Sequence, residues 1–125
     1  MEKLGIMQEK KRKYNNRPEQ RGNVHFDSQK EARRYDELLM LQTAQRIRNL
    51  KLQPQFTLQE SYLTPEGDRV RAIRYVADFS YEVPAGEGQW RLVVEDVKSK
   101  ATKTKQYEMK RKMMLNRFCI KIEEV

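Results

Sequence analysis

The sequence predicts an α/β (α+β) fold of element order αβββαβ, a mixed four-stranded sheet flanked by helices. Three observations carry this. Ser28 followed three residues later by Glu31 is a capping box that opens a helix. Runs of alternating apolar residues follow, divided by the turn chemistry of Thr64-Pro65-Glu66-Gly67-Asp68 and Pro84-Ala85-Gly86-Glu87-Gly88. A second helix then joins the third strand to a closing strand, and a crossover of that length requires parallel pairing of the strands it connects.

Residues 1–23 form a basic arm without apolar period, carrying Lys10, Lys11, Arg12, Lys13, Arg17 and Arg21. Its composition suits a flexible DNA-contacting arm and a solvated terminus equally. The folded domain spans 24–125. Its first helix runs from Ser28 to about Arg48, with Ala32, Tyr35, Leu38 and Leu39, and Met40 or Leu41 beside them, as a buried stripe. Glu31 lies on that stripe's side, either reaching back to cap the helix or pointing inward to a site, while Arg33 and Arg34 face the flank and solvent.

Residues 49–54 read as a connection and 55–62 as a first strand. The second strand, 70–83, places Ile73, Tyr75, Ala77, Phe79 and Tyr81 on one face and Asp78 on the other. A mid-strand aspartate breaks an otherwise consistent pattern, and such breaks mark function. The third strand, 90–98, puts Leu92, Val94, Asp96 and Lys98 on one face and Val93, Glu95 and Val97 on the other. Thr104 or Thr102 caps a second helix ending near Asn116, packed through Tyr107, Met109, Met113, Met114 and Leu115. The stretch Phe118-Cys119-Ile120-Lys121-Ile122 closes the sheet, with Cys119 as a small buried hydrophobe.

With 125 residues there is room for one modest core. The net charge of +8 favours a polyanionic partner, nucleic acid first, although a ribosome-associated or membrane-surface protein shares that property. A single cysteine excludes an internal disulfide and a thiolate zinc site and suits a reducing, cytoplasmic setting. No segment is long and apolar enough for a membrane span or a signal peptide, so no membrane partner is expected.

Glu31 on the helix, Asp78 mid-strand, Asp96 at a strand end and Lys98 two residues on can meet at one place. Carboxylates that close together repel unless they share a cation, and oxygen ligands without His or Cys select Mg²⁺, with Mn²⁺ as substitute. Such a metal suits phosphodiester hydrolysis, and Lys98 would hold the attacking water or offset developing charge. His25, the only histidine, precedes the helix and reads as structural, so no Ser-His or Cys-His dyad competes.

These residues resemble the PD-(D/E)XK nuclease superfamily, which has a restriction-endonuclease-like αβββαβ core. Its pattern of a helix Glu, a second-strand Asp and a (D/E)-x-K maps onto Glu31, Asp78 and Asp96-Val97-Lys98, with Ala77 where that pattern has Pro. The runs Phe26-Asp27-Ser28-Gln29-Lys30-Glu31-Ala32, Tyr75-Val76-Ala77-Asp78-Phe79 and Val94-Glu95-Asp96-Val97-Lys98 more closely resemble a small phage and prophage family of endodeoxyribonucleases akin to Holliday junction resolvases. The likeness covers about 24–125. It implies a Mg²⁺-dependent endodeoxyribonuclease in phage DNA recombination or processing, selective for branched DNA, acting in the bacterial host cytoplasm and compatible with a homodimer. Glu31, Asp78, Asp96 and Lys98 would be catalytic, with Asp78, Asp96, the Val97 carbonyl and Glu31 as metal ligands. Lys100, Lys103, Lys105, Lys110, Arg33 and Arg34 would contact DNA. Two alternatives stand beside it: a non-catalytic DNA-binding module that keeps the nuclease fold, and a phage structural protein whose charge aids solubility.

Overall fold

Alternation and capping become a mixed α+β architecture in the computed structural model, which describes residues 18–22, 24–97 and 103–125. An antiparallel hairpin of β1 (Glu19–Arg21) and β2 (Val24–Phe26) leads into helix α1 (Gln29–Thr43). There follow β3 (Arg48–Leu52), β4 (Gln55–Gln59), β5 (Tyr62–Leu63), β6 (Arg69–Val70), β7 (Ile73–Val76), β8 (Phe79–Pro84) and β9 (Trp90–Asp96). Helix α2 (Lys105–Phe118) and β10 (Glu123–Glu124) complete the chain. The main sheet has the order β10-β9-β8-β3, with β8 antiparallel to β9 and β10 parallel to β9, as the crossover through α2 demands.

Each helix covers one face of this sheet. Ser28 Oγ accepts the Glu31 N–H at 3.1 Å and starts α1, which lays Ala32 and Leu38 against Phe79, Tyr81 and Val93. Phe26, Tyr35 and Phe79 form a ring cluster in that core, with Phe26 and Tyr35 centroids 5.0 Å apart. On the other face Thr104 Oγ1 accepts the Tyr107 N–H at 3.0 Å and starts α2. Its Tyr107 and Met114 pack with Leu58, Tyr75, Ala77, Val94 and Ile122. Adjacent Val93 and Val94 thus enter different cores, the signature of a strand covered on both faces. Each fully buried Leu, Phe or Met contributes about 1.5–3 kcal/mol.

The strand expected over 70–83 is two strands with a break at Ala77-Asp78. Ala77 N–H donates to the Pro54 carbonyl at 3.1 Å and Asp78 N–H to the Glu95 carbonyl at 3.1 Å, so the chain changes partner there from the β4 side to β9. Tyr75 and Ala77 therefore fill the α2 core while Phe79 and Tyr81 fill the α1 core, although all were expected on one face. The expected first strand supplies β4, which pairs with β7 in a separate two-stranded sheet. The fourth strand of the main sheet is β3, which takes Arg48 from the expected helix end and the rest from the stretch read as a connection. Its alternation is interrupted by positive φ at Asn49 (56°) and by a register shift between Arg48 and Lys51, and Gln53 (φ 51°) ends it. Most of its residues are exposed, so no apolar row advertises it.

Three ends also differ. Helix α1 stops at Thr43, short of Arg48, with Met40 exposed. Helix α2 continues through Phe118 and exposes Met109 and Leu115, so Tyr107 and Met114 carry its burial. Cys119 is the left-handed cap of α2 (φ 58°) and is exposed, because a helix C-terminus needs that conformation where the sequence suggested a strand. β1 falls within the stretch read as an arm, and its Arg21 pairs with Asp36 of α1. Among the described residues no helix is long and apolar enough to cross a membrane.

Candidate functional site

The strand break is what brings the acids together. Freed from regular pairing, Asp78 lies beside the C-terminal end of β9. Its N–H reaches Asp96 Oδ1 at 3.0 Å, and its Oδ2 accepts the Val97 N–H at 2.7 Å. Asp96 is buried, and its Oδ2 accepts the Tyr75 hydroxyl. A buried carboxylate is costly unless hydrogen bonds satisfy it, and here backbone and phenol do so.

From the helix side, Glu31 meets Asp78 in a side-chain hydrogen bond. Burial, and then the charge of Asp78, push the Glu31 carboxyl up to about 8. Glu31 therefore points inward, and the Ser28 cap operates through the Glu31 backbone N–H. Glu31 and Asp78 line a cavity of about 270 Å³ together with His25 and Gln53. The Gln53 N–H donates to the Asp78 carbonyl at 3.0 Å and secures the break from the β3 side.

Alternation along β9 sends Glu95 to the opposite face, toward α1. There Arg34 Nε and Nη2 contact Glu95 Oε1 and Oε2 at 2.9 and 2.6 Å, and the Tyr81 hydroxyl donates to the same carboxylate. Arg34 was expected in solvent. Its side chain is only 25% exposed, because a fully buried carboxylate requires a bidentate cation, and its Nη1 contacts Glu37 at 2.8 Å. Hydrogen bonding to Glu95 raises the Arg34 pKa, and burial followed by Glu95 raises that of Tyr81.

The remaining expected contact residues are scattered. Arg33 is exposed on α1 and Lys105 is exposed at the start of α2. Lys103 pairs with Glu124 at 2.8 Å, which with the Tyr107 hydroxyl holds that carboxyl below its usual value. Lys110 Nζ donates to the Arg74 carbonyl at 2.8 Å. Lys98 and Lys100 lie outside the described residues. Sequence reasoning passed over Tyr75, Tyr81 and Gln53, and only Glu95, a second acid in an apolar strand, signalled that a partner such as Arg34 was needed.

The donor set is chemically suited to a hard divalent cation: three carboxylates, with oxygen donors only. The carboxylate oxygens are turned onto protein donors, and no three His, Cys, Asp or Glu side chains among the described residues are arranged to hold a metal ion.

The architecture is thus a mixed α+β core in which a helix, a strand break and a strand end gather three acids. The family described as "Protein of unknown function (DUF1064)" matches residues 11–123, and the chain belongs to it. No curated protein and no solved structure matches the chain.

Proposed function

We propose that the protein is a Mg²⁺-dependent endodeoxyribonuclease, selective for branched DNA, that serves phage or prophage DNA processing in the bacterial cytoplasm. The observation that supports it most is the approach of Glu31, Asp78 and Asp96 from three separate elements, with Asp78 N–H 3.0 Å from the Asp96 carboxylate. Acids drawn together from three elements repel one another, and a shared cation would relieve that repulsion. Asp78, Asp96, Glu31 and the Val97 carbonyl would hold it, and Mn²⁺ would substitute. When bound, the cation supplies a water of lowered pKa and neutralises charge on the phosphate.

The chain's own residues do the rest. Tyr75 and the Asp78 N–H orient the Asp96 carboxylate, and the Val97 N–H orients that of Asp78. Lys98, two residues beyond Asp96, positions the attacking water or offsets charge developing on the phosphate.

A second reading, a DNA-binding module without catalysis, draws on the same hydrogen bonds, since acids satisfied by Tyr75 and backbone N–H groups can be structural. Incubation with labelled linear, flapped and four-way DNA in Mg²⁺, Mn²⁺ or EDTA separates the two. Metal-dependent cuts support the nuclease; binding without cuts supports the module.

A further inference from the structure

The first turns of α1 serve two cavities. Glu31 belongs to the one already described. Lys30, Arg33, Arg34 and Glu37 line another, of about 310 Å³, which shares no lining residue with the first and reaches Val97, the neighbour of Asp96. Three cations and Glu37 line it, with Val97 and Val125 completing the wall. Arg34 is held in place from beneath: Nε and Nη2 are fixed on the buried Glu95, which Tyr81 also contacts, so the guanidinium plane is set before any ligand arrives. Its Nη1 is occupied by Glu37, whose side chain is 62% exposed. An exposed ion pair of this kind contributes about 0–1 kcal/mol, so Glu37 is readily exchanged for a stronger anion. Three of the five guanidinium N–H groups are engaged, and a phosphate taking Glu37's place gains a charge-assisted contact with a pre-oriented donor.

We infer that this cavity binds one phosphodiester group of a DNA strand passing the end of β9, held by Lys30, Arg33 and Arg34 after displacement of Glu37. The inference rests on the reading of the protein as one that acts on DNA. It makes the basic flank of α1 a single discrete site beside the acids, where a diffuse charged surface would engage several phosphates along the backbone.

Counterion release tells the two apart, because the slope of log K against log salt counts phosphates, at about 0.9 each on duplex DNA. Binding of a labelled duplex would be measured in EDTA across a fourfold salt range for wild type, Lys30→Ala, Arg33→Ala, the double variant and Glu37→Gln. Arg34 is left intact because its loss would strand Glu95. One shared phosphate predicts that the double variant loses no more than about 0.9 of slope, roughly a 3.5-fold smaller change in affinity over that range. Glu37→Gln should bind more tightly. A duplex scanned with single neutral methylphosphonates should show one position that weakens wild type clearly more than the double variant, which keeps only Arg34 at the site.

A slope loss near twice that value, an unchanged slope, or the absence of such a position would overturn the inference while leaving the nuclease reading intact. A wild type that binds DNA with the single-site pattern and never cuts it would overturn the nuclease reading and keep this site. A wild type that does not bind DNA in EDTA would overturn this site, and cleavage in Mg²⁺ would still decide the nuclease reading.

Discussion

Neighbouring acids on β9 have opposite employments. Glu95 faces α1 and is neutralised by Arg34, whereas Asp96 faces Tyr75 and Asp78. Glu95→Gln should therefore cost about 1–3 kcal/mol of stability, since it weakens charge-assisted bonds to a partly buried guanidinium. Cleavage per folded molecule should survive. Denaturant midpoints alongside single-turnover rates test this, and a folded but inactive variant would move the catalytic acid from Asp96 to Glu95. Glu31 has a pH signature. Its carboxyl is pushed up to about 8 from a usual 4.5, so between those values the folded protein holds the extra proton. The stability this proton contributes is fully present below about 4.5 and lost as pH rises through about 8. In EDTA, wild type should weaken over that window relative to Glu31→Gln, which has no such proton to lose. Equal pH dependence of the two unfolding midpoints would remove Glu31 from the acid cluster.

At the scale of elements, helix ends obey local chemistry. Cys119 caps α2 with φ 58°, a conformation that is unfavourable for a residue with a Cβ and free of that penalty for glycine. Cys119→Gly should raise stability by about 1 kcal/mol in a urea titration; a lower midpoint would show that the side chain has packing value. Much of the element order was legible in the sequence: both N-caps, both turns, α2 and the parallel pairing after it rest on local signals or on the crossover, but the closing strand itself lies at Glu123–Glu124, beyond the 118–122 stretch expected to form it. The break at Ala77-Asp78 was not, since period two runs unbroken through it and only tertiary hydrogen bonds to Pro54 and Glu95 reveal the change of partner. β3 escaped for the opposite reason: an exposed edge strand with a positive-φ residue at Asn49 has no apolar alternation to read. Of the candidate site, the approach of Asp78 to Asp96 followed from strand adjacency, and the inward Glu31 followed from the helix stripe. The capture of Arg34 required knowing that Glu95 is fully buried.

Over the whole molecule, a charge of +8 coexists with a cluster of acids, so attraction to a polyanion must be strongest away from those acids unless a cation masks them. Binding to DNA should then be nearly independent of sequence and should weaken steeply with salt. Lys103 is already committed to Glu124, whereas Lys105 is exposed and forms no ion pair among the described residues. Lys105→Ala should accordingly flatten the salt dependence more than Lys103→Ala, and the reverse order in parallel titrations would take the start of α2 out of the DNA path.

If the three gathered acids hold a metal that cuts DNA, Asp78 is the acid to remove, because it meets both Asp96 and Glu31. Single-turnover cleavage of a labelled four-way junction and a linear duplex should be followed with wild type and Asp78→Asn in Mg²⁺ and in EDTA, with binding measured in parallel. Wild type should cut in Mg²⁺ and not in EDTA, with preference for the junction. Asp78→Asn should bind as tightly or more tightly and cut at least about a hundredfold more slowly. An Asp78→Asn protein that cuts at the wild-type rate, or a wild type that binds DNA and leaves it intact in both Mg²⁺ and Mn²⁺, would contradict the account.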